Sequence, residues 1–217
     1  LQGAQIIDWV PTGHKPVIWL SRQANFIKGK SIRGGVPVCW PWFGAHKSNS
    51  DFPAHGYART VQWDLNEATE VDNGVIELKF ILKPDESQQK MWPFLSPLEL
   101  HMRFDEQLEL ELITRNADKQ PLEISEALHT YFAVSDVQQV RVSGLDGYDY
   151  LDKVQDFARC QQSGDIRFDA ELDRVYLDTE NTCVIEDKPW QRRIYIEKEG
   201  SRSTVVWNPW REKSDAM

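Results

Sequence analysis

The sequence contains few cysteines, and their arrangement excludes two common stabilising devices. Its 217 residues include only three, Cys39, Cys160 and Cys183, which are far apart and never form a CxxC pair. This pattern indicates free thiols in a reducing compartment and argues against a disulfide framework or a zinc site. We therefore expect a cytoplasmic protein. The five histidines are not at metal-ligand spacings, so we expect no metal.

The sequence also lacks long apolar runs and an excess of positive charge. No stretch approaches the roughly 20 apolar residues of a membrane-spanning helix. Its 34 acidic residues outnumber its 25 basic residues, which gives a formal net charge of -9. This balance argues against nucleic acid or an anionic membrane as a partner. An anionic small molecule would need a local basic pocket.

The GxSxG, P-loop, HExxH and GxGxxG signatures do not occur either, and no long stretch has helical periodicity. The sequence has instead short runs in which apolar and polar residues alternate, as in Val75–Leu82, Leu98–Phe104 and 108–112, which is typical of half-buried strands. A short helix is predicted over 85–91. Turns are predicted at Asp105-Glu106 and at Asp72-Asn73-Gly74. Further strands are predicted over 4–10, 16–20, 61–67, 121–134, 138–143, 172–178, 182–186, 192–198 and 203–207.

Short strands at close spacing predict an all-β fold, an antiparallel sandwich or barrel. We expect residues 1–217 to form a single β-sandwich domain. The chain begins at Leu1 instead of a methionine, and its first residues already resemble a folded strand. We therefore expect the sequence to be truncated at both ends, and the protein to act as a monomer.

Residues 31–59, which we call the site loop, combine glycines and prolines with aromatic residues and hold Arg33, His55 and Arg59. A loop of this length inside a compact domain is usually functional or disordered. Its many aromatic residues and low charge argue against disorder. The composition therefore predicts an ordered loop that builds a site.

Two arginines of the site loop are candidate anion ligands. The planar guanidinium of Arg33 or Arg59 suits a phosphate or a carboxylate. Gly34-Gly35, next to Arg33, would let the backbone approach a ligand closely. The alternative is that both arginines are ordinary surface charges, which their setting among glycines and tryptophans makes less favoured.

Other candidates each have a structural alternative. His129, within a partly buried strand, either transfers protons near neutral pH or is a core histidine that bonds a neighbouring carbonyl. His55 either bonds a ligand hydroxyl or caps a turn. Asp173 is either a ligand acceptor or a surface carboxylate, and Trp40 and Trp42 either stack on a sugar or belong to the core. The remaining histidines are interpreted as structural: His14, His46 and His101.

Five motifs together resemble one family. Between residues 31 and 210 the chain contains, in this order, the motifs SIRGGVPVCWPWFG, AHGYAR, ALHTYF, DRVYL and WNPW. This order resembles that of the hexose-6-phosphate mutarotases (glucose-6-phosphate 1-epimerases), which are relatives of aldose 1-epimerase. The resemblance implies a large twisted antiparallel β-sandwich, often called a supersandwich, with the sugar in an open groove. It also implies interconversion of the α and β anomers of glucose-6-phosphate and similar sugar phosphates, with no metal or organic cofactor.

The resemblance implies a role for each site residue. His129 matches the general acid that protonates the ring oxygen. Arg33 and Arg59 match substrate contacts that suit the phosphate, Asp173 is expected to hold sugar hydroxyls, and His55 is expected to lie close to the sugar. Ring opening also needs a base for the anomeric hydroxyl, and an acid or base typically contributes about 10²–10⁴-fold to the rate.

The family's base is a glutamate that follows the WNPW region, in a segment resembling CVE. The sequence ends at Met217, and neither Glu212 nor Asp215 stands in such a segment. We therefore expect a truncated chain whose site, over 1–217, is damaged or inactive. The alternative is a non-catalytic carbohydrate-binding or sugar-phosphate-binding protein on the same fold, because fold alone does not determine function. A β-sandwich interaction module is the least favoured interpretation.

Overall fold

The computed structural model describes residues 1–71 and 74–215, apart from the side chains of Glu212 and Asp215. The chain divides into two compact units, Leu1–Ala133 and Val134–Met217. The expectation of a single domain over 1–217 stays a prediction. Asp72 and Asn73 of the predicted turn lie outside the described residues.

The first unit contains a four-stranded antiparallel sheet with the order β2-β3-β4-β5 and a two-stranded sheet formed by β1 and β6. A 3-10 turn over Ala58–Thr60 and helix α1, Glu86–Met91, connect these strands. The strands are β1 (Val38–Cys39), β2 (Trp63–Val71), β3 (Val75–Leu82), β4 (Leu98–Phe104), β5 (Leu108–Thr114) and β6 (Ala127–Leu128).

Alternation of apolar and polar residues explains the four-stranded sheet. Leu98, Leu100 and Met102 of β4 are buried, and the residues between them are only partly buried. The buried face packs in one apolar cluster with Val38 and Trp40 of the site loop. The sheet therefore holds the site loop in place through the core. The predicted bounds of β3 and β4 are confirmed, as is the predicted helix, which Asp85 caps.

The strands predicted over 4–10 and 16–20 are wrong. Within the described first unit, these segments make single bridges only, Ile6 with Val36, Ile18 with Phe132 and Leu20 with Gly34. Two of the three partners, Val36 and Gly34, belong to the glycine-rich site loop, whose left-handed glycines interrupt a regular ladder. The strand predicted over 121–134 is likewise reduced to β6.

The second unit has two antiparallel four-stranded sheets, with the orders β10-β7-β12-β13 and β14-β11-β8-β9. A short helix, α2, spans Trp210–Asp215. The strands are β7 (Val140–Ser143), β8 (Asp149–Asp152), β9 (Ala158–Gln161), β10 (Ile166–Arg167), β11 (Leu172–Leu177), β12 (Cys183–Asp187), β13 (Arg192–Ile196) and β14 (Ser203–Asn208).

Five of these strands lie where they were predicted, namely β7 and β11 to β14. The sequence did not reveal β8, β9 and β10. The reason is local for two of them, because β9 is largely exposed with no buried residue, and β10 has only two residues. Across residues 1–71 and 74–215, no helix is long and apolar enough to cross a bilayer.

Candidate active site

Strand β1 is the centre of the candidate site. On one side it pairs with β6, with Val38 opposite Leu128 and Cys39 opposite Ala127. On its other side the backbone N–H groups of Tyr57 and Ala58 donate to the carbonyl of Trp40, at 3.1 and 3.3 Å. Segments that are distant in sequence therefore flank β1, and each carries a histidine next to the pairing residues.

Gly56 lets the second segment approach β1. Its φ is +70°, and a Cβ atom built on it would lie 1.9 Å from the carbonyl oxygen of Trp40. An L-residue in the left-handed region is already disfavoured, and no side chain fits at that distance. The glycine of the AHGYAR motif is therefore explained by contact between two backbone segments.

His55 precedes this glycine and also has a positive φ, 65°. Its backbone N–H donates to the carbonyl of Gly44 at 2.7 Å, and the N–H of Gly44 donates to Nδ1 of His55 at 3.2 Å. Because Nδ1 accepts this bond, a neutral His55 ring carries its proton on Nε2. His55 therefore caps a turn, and its position close to the sugar stays a prediction.

His129 lies on the opposite flank of β1. Its backbone N–H donates to the carbonyl of Pro37 at 3.0 Å. Its imidazole ring is perpendicular to that of His55, with the two ring centroids 6.4 Å apart. The two histidines that the motifs single out are therefore brought together, although 74 residues of sequence separate them.

Arg59 is fixed beside the same strand, in the 3-10 turn Ala58–Thr60. One of its terminal nitrogens donates to the carbonyl of Ala54 at 2.9 Å. Its Nε is buried and has no hydrogen-bond acceptor within residues 1–71 and 74–215. Burial raises the pKa of the Cys39 thiol to about 11, and the positive charge of Arg59 opposes this rise. The guanidinium thus lies within electrostatic reach of β1.

Arg33 is held through its backbone, because its carbonyl accepts a bond from the N–H of Ser21 at 3.2 Å. The prediction that Gly34 and Gly35 admit a ligand needs correction. Cβ atoms on these glycines would lie 2.6 Å from the carbonyl oxygen of Trp19 and 2.2 Å from that of Ile6. The glycines therefore serve chain-to-chain contact, and the substrate role of Arg33 stays a prediction.

The two tryptophans of the site loop belong to the core. Trp40 and Trp42 are only 1% and 7% exposed, so neither offers a free face to a sugar. The indole N–H of Trp40 donates to Oγ1 of Thr114, and that of Trp42 donates to the carbonyl of Pro53. The structural alternative stated for these residues is therefore correct.

Asp173 lies in the second unit, on β11 opposite Trp207 of β14. Lys153 donates to its carboxylate at 2.7 Å, and the carboxylate side chain is 18% exposed. Asp173 is thus a largely buried member of an ion pair, not a free surface carboxylate. Its role in holding sugar hydroxyls stays a prediction.

Sequence reasoning missed three neighbours of the predicted site residues. Tyr131 stacks on His129 with 4.7 Å between ring centroids, and Phe43 packs edge-on against His55 at 4.8 Å. Lys153 is the partner of Asp173. Only Tyr131 had a usable signal, since a residue two positions from His129 in an extended segment faces the same side.

Comparison with known proteins identifies the family. The aldose 1-epimerase family model matches residues 1–217. A protein of Escherichia coli (strain K12) described as "Putative glucose-6-phosphate 1-epimerase" is 40% identical over 210 residues, which cover 96% of this chain and 69% of that protein. A protein of Cenchrus ciliaris with the same description is 36% identical over 226 residues, covering 100% of this chain and 68% of that protein.

Solved structures agree with this result. A crystal structure described as that of "a putative mutarotase" from Salmonella typhimurium has a TM-score of 0.93 and 37% identity, and the match covers 100% of this chain and 71% of that one. A "galactose mutarotase related enzyme" from Lactobacillus acidophilus, 14% identical with a TM-score of 0.77 over 97% of this chain and 76% of its own, shares the fold.

These likenesses confirm the predicted fold class, an all-β, antiparallel, galactose mutarotase-like fold. The chain belongs to the aldose 1-epimerase family, whose members are isomerases that act on sugars. The family resemblance drawn from the five motifs is confirmed as well.

Proposed function

We propose that this protein interconverts the α and β anomers of glucose-6-phosphate and related hexose-6-phosphates. The observation that carries the proposal is the pair of imidazole rings of His55 and His129, 6.4 Å apart and anchored by backbone bonds on the two flanks of β1. Membership of the aldose 1-epimerase family supports the reaction class. The descriptions of the relatives support a phosphorylated sugar.

In the proposed reaction His129 is the general acid. Opening of the hemiacetal transfers a proton to the departing ring oxygen, and closing returns it, so the group must both donate and accept near neutral pH. An imidazole meets that demand. The reaction also needs a base for the anomeric hydroxyl, for which the family resemblance implies a glutamate. Rotation about the bond next to the opened carbonyl then allows closure to the other anomer.

The remaining residues bind substrate in this proposal. Arg59, whose Nε has no acceptor among the described residues, and Arg33 hold the phosphate. The family resemblance assigns sugar hydroxyls to Asp173 and a place close to the sugar to His55. A fixed phosphate end keeps the opened chain in place while its other end rotates. A neutral sugar would not need two arginines, which favours the phosphorylated substrate.

The same proposal places the enzyme in the cytoplasm as a monomer without a cofactor. Its three cysteines, which are all free thiols, support a reducing compartment. Among the described residues, no group of three or more His, Cys, Asp or Glu side chains could hold a metal ion.

The reaction is tested by magnetisation-transfer NMR of glucose-6-phosphate with the complete gene product. We expect the wild type to accelerate anomer exchange and His129→Asn to lower the rate by about 10²–10⁴-fold, the contribution of a well-placed acid. His14→Asn, in an exposed turn, is the matched control and should keep the wild-type rate. An unchanged rate in His129→Asn would refute its role as the acid. Binding of the sugar phosphate without any accelerated exchange would identify a binding protein instead.

The substrate class is tested with Arg59→Gln. Loss of a charged hydrogen bond should raise KM for glucose-6-phosphate roughly 10- to 150-fold and leave free glucose unaffected. Arg22→Gln, which changes an exposed arginine of the same unit, is the control. A wild-type preference for free glucose over glucose-6-phosphate would overturn the phosphate assignment.

A further inference from the structure

Three aromatic rings form a stack that ends at His129. The indole of Trp19 stacks on the ring of Tyr131 with 5.9 Å between centroids, and Tyr131 stacks on the imidazole of His129 at 4.7 Å. Both pairs are inclined by only 24°. These distances lie in the range of favourable aromatic pairs. We call Trp19, Tyr131 and His129 the aromatic column.

A closed cycle of backbone hydrogen bonds fixes the column. The N–H of Trp19 donates to the carbonyl of Tyr131 at 2.9 Å, the N–H of Tyr131 to that of Gly35 at 2.9 Å, and the N–H of Gly35 to that of Trp19 at 2.7 Å. Three chain segments therefore meet at one point. Neither Trp19 nor Tyr131 can shift its backbone without breaking two of the three bonds.

One end of the aromatic column is exposed to solvent, and the other end is the candidate acid, His129. Trp19 is 41% exposed, whereas Tyr131 and His129 are partly buried. His129 has its own backbone anchor, the bond from its N–H to the carbonyl of Pro37. That bond fixes the main chain of His129. The flat face of Tyr131 opposes rotation of the imidazole about its side-chain bonds, because turning the ring would lose the stacked contact.

We propose that Tyr131 and Trp19 are positioning residues, which hold the imidazole of His129 in one orientation by stacking behind it. The catalytic part of this inference rests on the proposed function. A proton donor acts only within hydrogen-bond reach of the atom that it protonates, and a small misplacement of a reacting group can cost a large factor in rate. Trp19 acts through Tyr131 and so has the smaller effect.

The catalytic part is tested by anomer exchange with the complete gene product. Tyr131→Leu should lower kcat roughly 2- to 10-fold, the value of one aromatic pair, with a smaller change in KM. Tyr131→Phe, which keeps the ring and removes the hydroxyl, should keep kcat close to the wild-type value. Trp19→Leu should lower kcat less than Tyr131→Leu does. Phe26→Leu, at an exposed aromatic residue of the same unit, is the control for loss of an aromatic side chain.

A second measurement does not depend on the proposed function. The ring of Tyr131 should shift the Cε1 proton of His129 upfield in the NMR spectrum, where loss of the signal in His129→Asn identifies it. The signal should move downfield in Tyr131→Leu and stay in place in Tyr131→Phe and Phe26→Leu. A similar chemical shift in wild type and Tyr131→Leu would overturn the stacking.

The two measurements together separate the possible failures. If the signal moves while kcat stays at the wild-type value, the positioning role is wrong. If Tyr131→Phe loses as much rate as Tyr131→Leu, the hydroxyl and not the stacked ring is responsible. If the wild type does not accelerate exchange at all, the proposed function falls with the positioning role, and the His129 signal still decides whether the column exists.

Discussion

Replacement of Gly56 by alanine tests the structural basis of the site most directly. Gly56 holds the segment of His55 against β1, and an added Cβ would lie 1.9 Å from the carbonyl oxygen of Trp40. The backbone must move to relieve this contact, because the atom that it meets is itself backbone. The movement pulls the N–H groups of Tyr57 and Ala58 away from the same carbonyl.

The size of the effect follows from these contacts. An alanine in the left-handed region costs about 1–2 kcal/mol, and each of the two backbone hydrogen bonds contributes about 0.5–1.5 kcal/mol. We therefore expect Gly56→Ala to lower the free energy of unfolding by about 2–5 kcal/mol. Gly13→Ala is the matched control, because Gly13 has a similar φ of +76° and no atom within 4 Å of an added Cβ. It should show the conformational cost alone.

Urea unfolding followed by tryptophan fluorescence measures both variants, and the difference between them isolates the contact. We expect Gly56→Ala to be less stable than Gly13→Ala by about 1–3 kcal/mol, the part due to the stretched hydrogen bonds. Its rate of anomer exchange should fall as well, because His55 moves with the displaced segment. Equal stability of the two variants would refute the close approach and the explanation of the glycine.

One substitution and one labelling experiment test the core around β1. Thr114→Val leaves the buried indole N–H of Trp40 without its acceptor. We expect urea unfolding to show a free energy of unfolding lower by about 1–3 kcal/mol. The control Thr69→Val, at an exposed position of β2, should change the free energy of unfolding by less than about 0.5 kcal/mol. The raised pKa of Cys39 lowers its thiolate fraction at neutral pH, so a disulfide reagent should label Cys160 first, and equally rapid labelling of Cys39 in the native protein would contradict its burial.

The strands were predictable from the sequence where one face of a sheet is buried. In β4 the alternation of Leu98, Leu100 and Met102 with polar residues gave the bounds correctly, because register and burial have the same period of two. The segments 4–10 and 16–20 are equally apolar, yet they form only isolated bridges. Their pairing depends on segments that are distant in sequence, the glycine-rich site loop and the segment of Phe132, and a local pattern does not contain this information.

In the candidate site, too, some features were predictable from the sequence and others depended on contacts between distant segments. His55, Arg59 and His129 were named from motifs, and the structure places their segments around β1. Periodicity could not have grouped them, since they lie in irregular segments joined by single long-range contacts. The fates of Trp40 and Trp42 were also open from the sequence, because a tryptophan in a ligand groove and one in a core have the same local pattern.

The glycines of the two loop motifs allow separate backbone segments to approach one another closely. Cβ atoms at Gly34, Gly35 and Gly56 would each come within 2.6 Å of a backbone carbonyl oxygen on a different segment, those of Trp19, Ile6 and Trp40. The site loop is thus a junction where several segments of the chain meet, and not a flap over a groove.

A site on such a junction keeps its side chains in fixed relative positions, which proton transfer requires. Substitution of these glycines should therefore lower stability and rate together. Substitution of Arg59, the proposed phosphate contact, should raise KM for glucose-6-phosphate and lower stability less than the glycine substitutions do. This contrast separates the residues that shape the site from those that act in it.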